Sequence, residues 1–494
     1  MFGRLFLVAT FVTASLVGRP SPASAQVLIR SGLSTLNGAN SVVAADFNGD
    51  GAMDLAVGGV EASSGVQVFL GNGDGTFKPP VAYAPGSGAA SLAAADLNHD
   101  GNPDIVIASP AGEYLTVLLG NGDGTFQPPV TYAIPSVATA VVLGDFNNDG
   151  KLDIATADYS TEAVICVLLG NGDGTFQEPG ILSYPPDWGL HTLAAGQFTE
   201  SGNLDLAVTE EEGLSGEVVQ ILLGNGDGTF TIGSSYGIDY TLGAMVAADL
   251  RSNGTTDLAV ANGGVLTVLL GDGDGTFQQP TEYDFGSGQW HFYTAPFSTT
   301  VAVADMNGDG IPDLVSAPSL STDLVDYSSV YIFPGKGDGT FGSPEIAYPV
   351  ASNSFPMGLA LADFNGDGLL DVTIADPFGP HNGYSEYVLL NTGQVKFSPV
   401  SMLSFTNQKK GTTSPPQIVT LTNQGPSTLN ISSMTTTGNF EETSTCGKSV
   451  VAKATCTIIV TFRPTSAGEK YGTVSITDSA SSKPQVIALS GKAY

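Results

Sequence analysis

An all-β chain in two parts is what this sequence predicts: a closed ring of repeated small sheets, followed by a β-sandwich. Three observations predict it. An acidic nine-residue string, first seen as DFNGDGAMD at Asp46, returns at intervals of 49 to 58 residues along the 494-residue chain. A glycine-rich string, LGNGDGTF at Leu70, follows each acidic string except the last. Between them lie short runs of Val, Ile, Leu and Ala, with no long stretch that has an amphipathic helical face.

The first element is a leader. Residues 1–25 begin with one early charge, Arg4, continue through an apolar run from Leu5 to Val17, and end in a small-residue A-x-A site at Ala23 to Ala25. This is the pattern of a secretory signal cut before Gln26, and the apolar run is short for a membrane span. No later apolar run is long enough to cross a membrane as a helix, so the mature chain is expected to have no transmembrane segment.

Residues 26–398 hold the repeats. The acidic string starts at Asp46, Asp96, Asp145, Gln197, Asp249, Asp305 and Asp363, which makes seven units of about fifty residues. In the second unit SLAAADL reads as a strand, the acidic string as a turn, PDIVIAS as the next strand, YLTVLLG as the third and TFQPPVTY as the fourth. One such sheet cannot bury both faces. Seven arranged radially can, each covering the next, so the expected fold is a seven-bladed β-propeller. A parallel solenoid is the runner-up. Either QVLI, Gln26 to Ile29, or VKFSPV, Val395 to Val400, can supply the outermost strand of the last sheet.

The acidic string has the oxygen donors a hard cation needs. In DxNxDGxxD, side chains at positions 1, 3, 5 and 9 and the carbonyl at position 7 can converge, while glycine at position 6 bends the chain. Five copies are complete. They are Asp46, Asn48, Asp50, Ala52 and Asp54; Asp96, Asn98, Asp100, Asn102 and Asp104; Asp145, Asn147, Asp149, Lys151 and Asp153; Asp305, Asn307, Asp309, Ile311 and Asp313; and Asp363, Asn365, Asp367, Leu369 and Asp371. Asp and Asn also favour ordinary turns, but the full pattern five times over points to about five structural calcium ions. Magnesium fits less well, because it prefers a stricter, partly hydrated shell. The fourth copy has Gln197, Thr199 and Ser201 at ligand places, so no ion is expected there. The fifth has Arg251 inside the loop, and its guanidinium is expected to replace a cation with Asp249 and Asp257 as neighbours.

The glycine-rich string reads as a tight turn, since Asp74, Asp123, Asp173, Asp227, Asp274 and Asp338 each stand alone among glycines. It lacks the Lys-Ser or Lys-Thr and the following helix of a phosphate loop. All acidic loops join the first and second strands, so they share one face. The divergent loops on the other face carry Trp188, His191, Trp290, His291, Tyr293, Tyr327, His381 and Tyr384. Aromatic and polar groups of this kind suit recognition of extracellular carbohydrate or protein, and equally suit packing between units.

Charge and motifs narrow the function. A formal charge of −32 repels a nucleic-acid backbone. No G-x-S-x-G or H-E-x-x-H string occurs, and Cys166 lies in an apolar strand. No catalytic residue is assigned. A binding or adhesion protein is the first reading; a lyase or glycosidase on the same scaffold and a structural envelope module are the alternatives. The oligomeric state is not specified.

Residues 399–494 change character: from Ser401 onward eight Lys or Arg face four Asp or Glu. Short Thr-, Ser- and Val-rich strands, such as PQIVTLTN and CTIIVTFRP, predict an immunoglobulin-type β-sandwich. Cys446 and Cys456 are expected to pair in an oxidising compartment.

The repeated DFNGDGxxDLAV and VLLGNGDGTF strings resemble FG-GAP or VCBS-type repeats of secreted bacterial proteins, which are distantly similar to the propeller of integrin alpha chains. That resemblance covers about residues 40 to 397. It implies a calcium-stabilised propeller in a secreted, periplasmic or cell-surface protein of bacterial type, with ions on one face and ligand on the other. The tail, PPQIVTLTNQG through VIALSG, resembles immunoglobulin-like domains of the ASPM–SPD-2–Hydin type. Some proteins with similar propellers are lectins or polysaccharide lyases, so that resemblance keeps the enzyme alternative open.

Overall fold

The computed structural model describes residues 28–33, 38–59, 65–84, 88–110, 112–158, 164–183, 189–211, 217–238, 242–262, 265–285, 299–307, 309–322, 325–349, 356–376, 386–391, 395–398, 403–423, 428–479 and 484–494. Among these residues every regular element is a β-strand. The expected signal at 1–25 lies outside them.

Seven four-stranded antiparallel sheets account for the repeats. In the second unit the strands are Ser91–Ala95, Asp104–Ala108, Tyr114–Leu118 and Val130–Ala133, paired in chain order. The second strands, such as Asp104–Ala108 and Asp153–Asp158, are buried along their whole length, because both of their faces meet a neighbouring sheet. The outermost strands, such as Val81–Tyr83 and Val130–Ala133, are largely exposed.

Seven apolar cores fill the spaces between successive sheets. One joins Phe47, Val66 and Val68 of the first unit to Ile105, Ile107 and Phe126 of the second. Another joins Leu55, Val57 and Phe69 of the first unit to Ala362, Val388 and Leu390 of the seventh. The cores thus run from unit to unit and return to the start, giving a closed, propeller-like ring.

Closure comes from the amino-terminal side. Leu28–Leu33 pairs antiparallel with Glu386–Asn391, with Leu28 opposite Asn391 and Leu33 opposite Glu386. Of the two closing strands the sequence allows, the carboxy-terminal one goes elsewhere: Val395–Ser398 pairs with Gln417–Asn423 in the second domain. The expected boundary at 398 is therefore corrected to the segment before Val395. The physical reason is burial, since Val395 and Phe397 sit in the second core while the edge of the seventh sheet is already taken.

The second domain has two sheets around that one core. Val395–Ser398, Gln417–Asn423, Thr455–Phe462 and Phe440–Ser444 form one. Leu403–Gln408, Gln485–Ala493, Gly468–Asp478, Leu429–Thr436 and Ser449–Val450 form the other, with Leu403–Gln408 running parallel to its neighbour. Cys446 and Cys456 are joined as a disulfide, which ties a loop to the strand Thr455–Phe462.

Candidate metal centres

Each acidic string folds into a compact turn between the first and second strands. In the first unit, Asp46 accepts the N–H of Asp50 at 3.2 Å and of Gly51 at 2.8 Å through its two carboxylate oxygens. Asn48 Oδ1 accepts the N–H of Asp50 at 2.9 Å, and Asp50 Oδ1 that of Ala52 at 2.9 Å. Asp96, Asn98 and Asp100 repeat this pattern, as do Asp145, Asn147 and Asp149, Asp305, Asn307 and Asp309, and Asp363, Asn365 and Asp367. The side-chain oxygens therefore curl inward over the turn. Gly51 at position 6 has φ +84° and nothing within 4 Å of an added Cβ, so backbone conformation and not space calls for glycine there.

Position 9 has a second role that the sequence reading did not assign. Asp54 is fully buried and accepts the N–H of Phe47 at 2.9 Å and of Gly71 at 2.6 Å. It thereby ties the turn to the end of the third strand. The same staple recurs in all seven units, through Asp104, Asp153, Asp205, Asp257, Asp313 and Asp371. The signal was present in the sequence: both degenerate copies, QFTESGNLD and DLRSNGTTD, keep this aspartate while losing other donors.

Among the described residues, no cationic side chain pairs with these buried carboxylates in the five complete loops. Burial holds the carboxyls of Asp54, Asp104 and Asp153 up at about 6, and neighbouring aspartates push the same way. Asp313 is held at about 7 and Asp371 is raised well above the ordinary range, again through burial. A carboxylate oxygen holding one N–H retains a lone pair for a cation. Among the described residues, no group of three His, Cys, Asp or Glu side chains stands in a ligating cluster by itself. A cation at a loop would need the asparagine and main-chain oxygens as well. The donor set, all oxygen and rich in carboxylate, suits a hard divalent ion.

The degenerate loops fill the same places differently. Arg251 Nη2 lies 2.6 Å from Asp257 Oδ1, and its Nε lies 3.2 Å from Oδ2. A positive group therefore caps the position-9 carboxylate. The expected second neighbour, Asp249, instead accepts the main-chain N–H groups of Arg251, Asn253 and Gly254. In the fourth loop the Thr199 hydroxyl reaches Asp205 Oδ2 at 3.2 Å, and Gln197 Nε2 donates to the Gly202 carbonyl.

The glycine-rich string is a turn closed on itself. Asn72 N donates to the Thr76 carbonyl, and Thr76 donates to Asp74 Oδ1 through its N–H and its hydroxyl. It also builds the seam between units. Gly124 N donates to the Phe47 carbonyl of the preceding unit at 3.0 Å, and Gly75 N reaches Phe364 of the seventh unit at 3.0 Å. Phe126 packs edge-on against Phe47 and Tyr83, so it serves the inter-unit seam and not the outer part of its own unit. The seam thus rests on position 2 of the neighbouring acidic loop.

The opposite face stays largely out of view. Trp188, Trp290, His291, Tyr293, His381 and Tyr384 lie outside the described residues. His191 is half-buried in the strand Gly189–Gly196, and Tyr327 falls in the strand Val325–Phe333. Cys166 is buried, and burial pushes its thiol up to about 11, which suits packing and not reactivity.

A family model described as FG-GAP-like repeat matches residues 46–107, 99–156, 145–208, 249–316 and 319–374, more than half of the chain. Phosphatidylinositol-glycan-specific phospholipase D of Rattus norvegicus is 40% identical over 92 residues, which is 18% of this chain and 11% of that protein. Integrin alpha-PS5 of Drosophila melanogaster is 34% identical over 86 residues, 17% of this chain and 9% of its own. Among solved structures, an Agrocybe aegerita lectin described as recognising non-reducing terminal N-acetylglucosamine aligns at 20% identity and TM-score 0.45, over 66% of this chain and 90% of that one.

Proposed function

The chain belongs to the FG-GAP-like repeat family, and from that premise we propose a secreted or surface binding protein whose seven-bladed propeller is stabilised by calcium. The observation that carries the reading is the set of five complete acidic loops, each with its side-chain oxygens gathered over one turn and a buried carboxylate that meets no cationic side chain among the described residues. Asp46, Asn48, Asp50 and Asp54, the Ala52 carbonyl and their counterparts in the other four loops hold the ions. Bound calcium supplies positive charge to those carboxylates and stabilises the folded ring by mass action.

The ligand is extracellular carbohydrate or protein, taken on the face opposite the acidic loops. Integrin alpha chains among the relatives support a binding role for the repeats. The phospholipase likeness spans 11% of that protein, so its hydrolytic activity is not carried over. The Cys446–Cys456 disulfide suits an oxidising compartment, and the second domain serves as an immunoglobulin-like spacer.

Glycan and protein arrays probed with the full mature chain test this. Binding in calcium that disappears with a chelator is the expected result. Absence of binding to both classes in calcium would contradict it.

A further inference from the structure

We infer that Arg251 and Thr199 decide where the ring takes cations, so that the seam between the fourth and fifth units and the seam between the fifth and sixth hold without calcium while the other seams depend on it. This rests on the calcium reading above and assigns which part of the ring obeys it.

The fifth loop carries its own cation. Arg251 stands at position 3, where the complete loops have asparagine. Its guanidinium makes two contacts to the fully buried Asp257 and donates to the Gly271 carbonyl at 2.6 Å. A planar fork held on a carboxylate and a carbonyl leaves no room on that side for a metal. Its alkyl stem also meets the next unit, since a Cβ on Gly339 would lie 3.0 Å from Arg251 Cγ.

The fourth loop uses neutral groups and extra main-chain pairing. Thr199 donates to Asp205 through both its N–H and its hydroxyl, and the hydroxyl also meets Ser201 Oγ at 2.7 Å. The turn of the fifth unit then pairs directly with this loop. Glu200 N donates to the Gly273 carbonyl at 3.0 Å, Thr199 bridges Asp274, and Gly275 N donates to the Phe198 carbonyl at 2.8 Å.

In the complete loops, among the described residues, Asp54, Asp104, Asp153 and Asp371 accept main-chain N–H groups alone, and in the sixth unit the uncharged Asn307 Nδ2 lies 3.3 and 3.5 Å from the oxygens of Asp313 without the added main-chain N–H that Thr199 supplies. The one lysine within them, Lys151, pairs with Asp149 at position 5 and not with buried Asp153. Because the following turn docks on the position-2 carbonyl at Phe47, Phe146, Phe198 and Phe364, loosening a loop loosens its seam. The chain therefore has two self-sufficient seams, built on the fourth and fifth loops, and a cation-dependent remainder that includes the joint of the seventh unit with the first.

Hydrogen exchange of the full mature chain, measured with calcium and with chelator, tests the division. On chelation, exchange at 46–54, 96–104, 145–153, 305–313 and 363–371 should rise about tenfold or more, while 197–205 and 249–257 change less than about twofold. An equal rise at all seven loops overturns the inference and leaves calcium binding standing. No change at any loop overturns both. Arg251→Asn supplies a second arm. In chelator its 249–257 segment should exchange faster than in the parent, and calcium should restore protection, because the new amide completes an oxygen set with Asp249, Asn253 and Asp257. Arg251→Lys should stay insensitive to calcium there. Failure of Arg251→Asn to respond to calcium, or a calcium response in Arg251→Lys, contradicts the assignment.

Discussion

Gly254 and Gly275 allow the seam to be weighed against backbone strain. Both belong to the fifth unit, and both have nearly the same left-handed conformation, φ +86° and +87°. Nothing lies within 4 Å of a Cβ built on Gly254. A Cβ on Gly275 would lie 2.8 Å from Leu223 Cδ2 and 3.1 Å from Thr199 Cγ2 of the preceding unit. Alanine at either position forces a side chain into the left-handed region, at a cost of about 1–2 kcal/mol. At Gly275 the added methyl must also displace Leu223, which is packed against the core between the two units. Overpacking of this kind adds about 1–3 kcal/mol, with the lower part of that range expected because Leu223 meets the methyl with a flexible end. Gly275→Ala should therefore lose about 1–2 kcal/mol more than Gly254→Ala. Neither loop is expected to hold an ion, so the difference should be the same with and without chelator. Urea unfolding of both variants beside the parent supplies the assay. Equal losses would refute the inter-unit contact as a source of stability.

Asp205→Ala removes the acceptor of three main-chain N–H groups, of Phe198, Thr199 and Gly224, and should cost about 3–5 kcal/mol by denaturation regardless of calcium; a loss that vanished in chelator would contradict the staple. Asn391→Ala strips the buried Met306 carbonyl and the half-buried Leu370 carbonyl of donors now at 3.0 and 3.1 Å, and a drop of about 2–3 kcal/mol should appear in the same assay, whereas an unchanged midpoint would mean those bonds carry no stability. Replacing Cys446 and Cys456 together by serine opens a short loop and should lower the stability of the second domain by about 2–4 kcal/mol, read in oxidising buffer; no loss would show the crosslink is dispensable.

Much of the ring was legible because its signals are local. The DxNxDGxxD and NGDGT strings mark turns by residue type, and the runs between them are too short and too β-branched for helices. Position 2 of each acidic loop shows where such reasoning stops. Phe47, Leu97, Phe146, Phe198, Leu250, Met306 and Phe364 are all buried, yet a lone apolar residue inside an acidic turn gives no hint that the carbonyls of Phe47, Phe146, Phe198 and Phe364 seat the next unit. That contact spans about fifty residues, and only the closed ring brings its ends together. The closing strand was undecided for the same reason, since Leu28–Leu33 and Val395–Ser398 have similar strand character and only the second core tells them apart. Arg251 was half legible: a positive side chain inside a carboxylate loop announces a cation substitute, but its choice of Asp257 over Asp249 follows from burial, which the sequence does not state.

Calorimetric titration of calcium into the chelator-treated full mature chain tests the central claim most directly. Uptake of about five ions per chain, one for each complete acidic loop, together with a raised unfolding temperature, is the result this account predicts. No heat of binding and an unfolding temperature unmoved by calcium would contradict it.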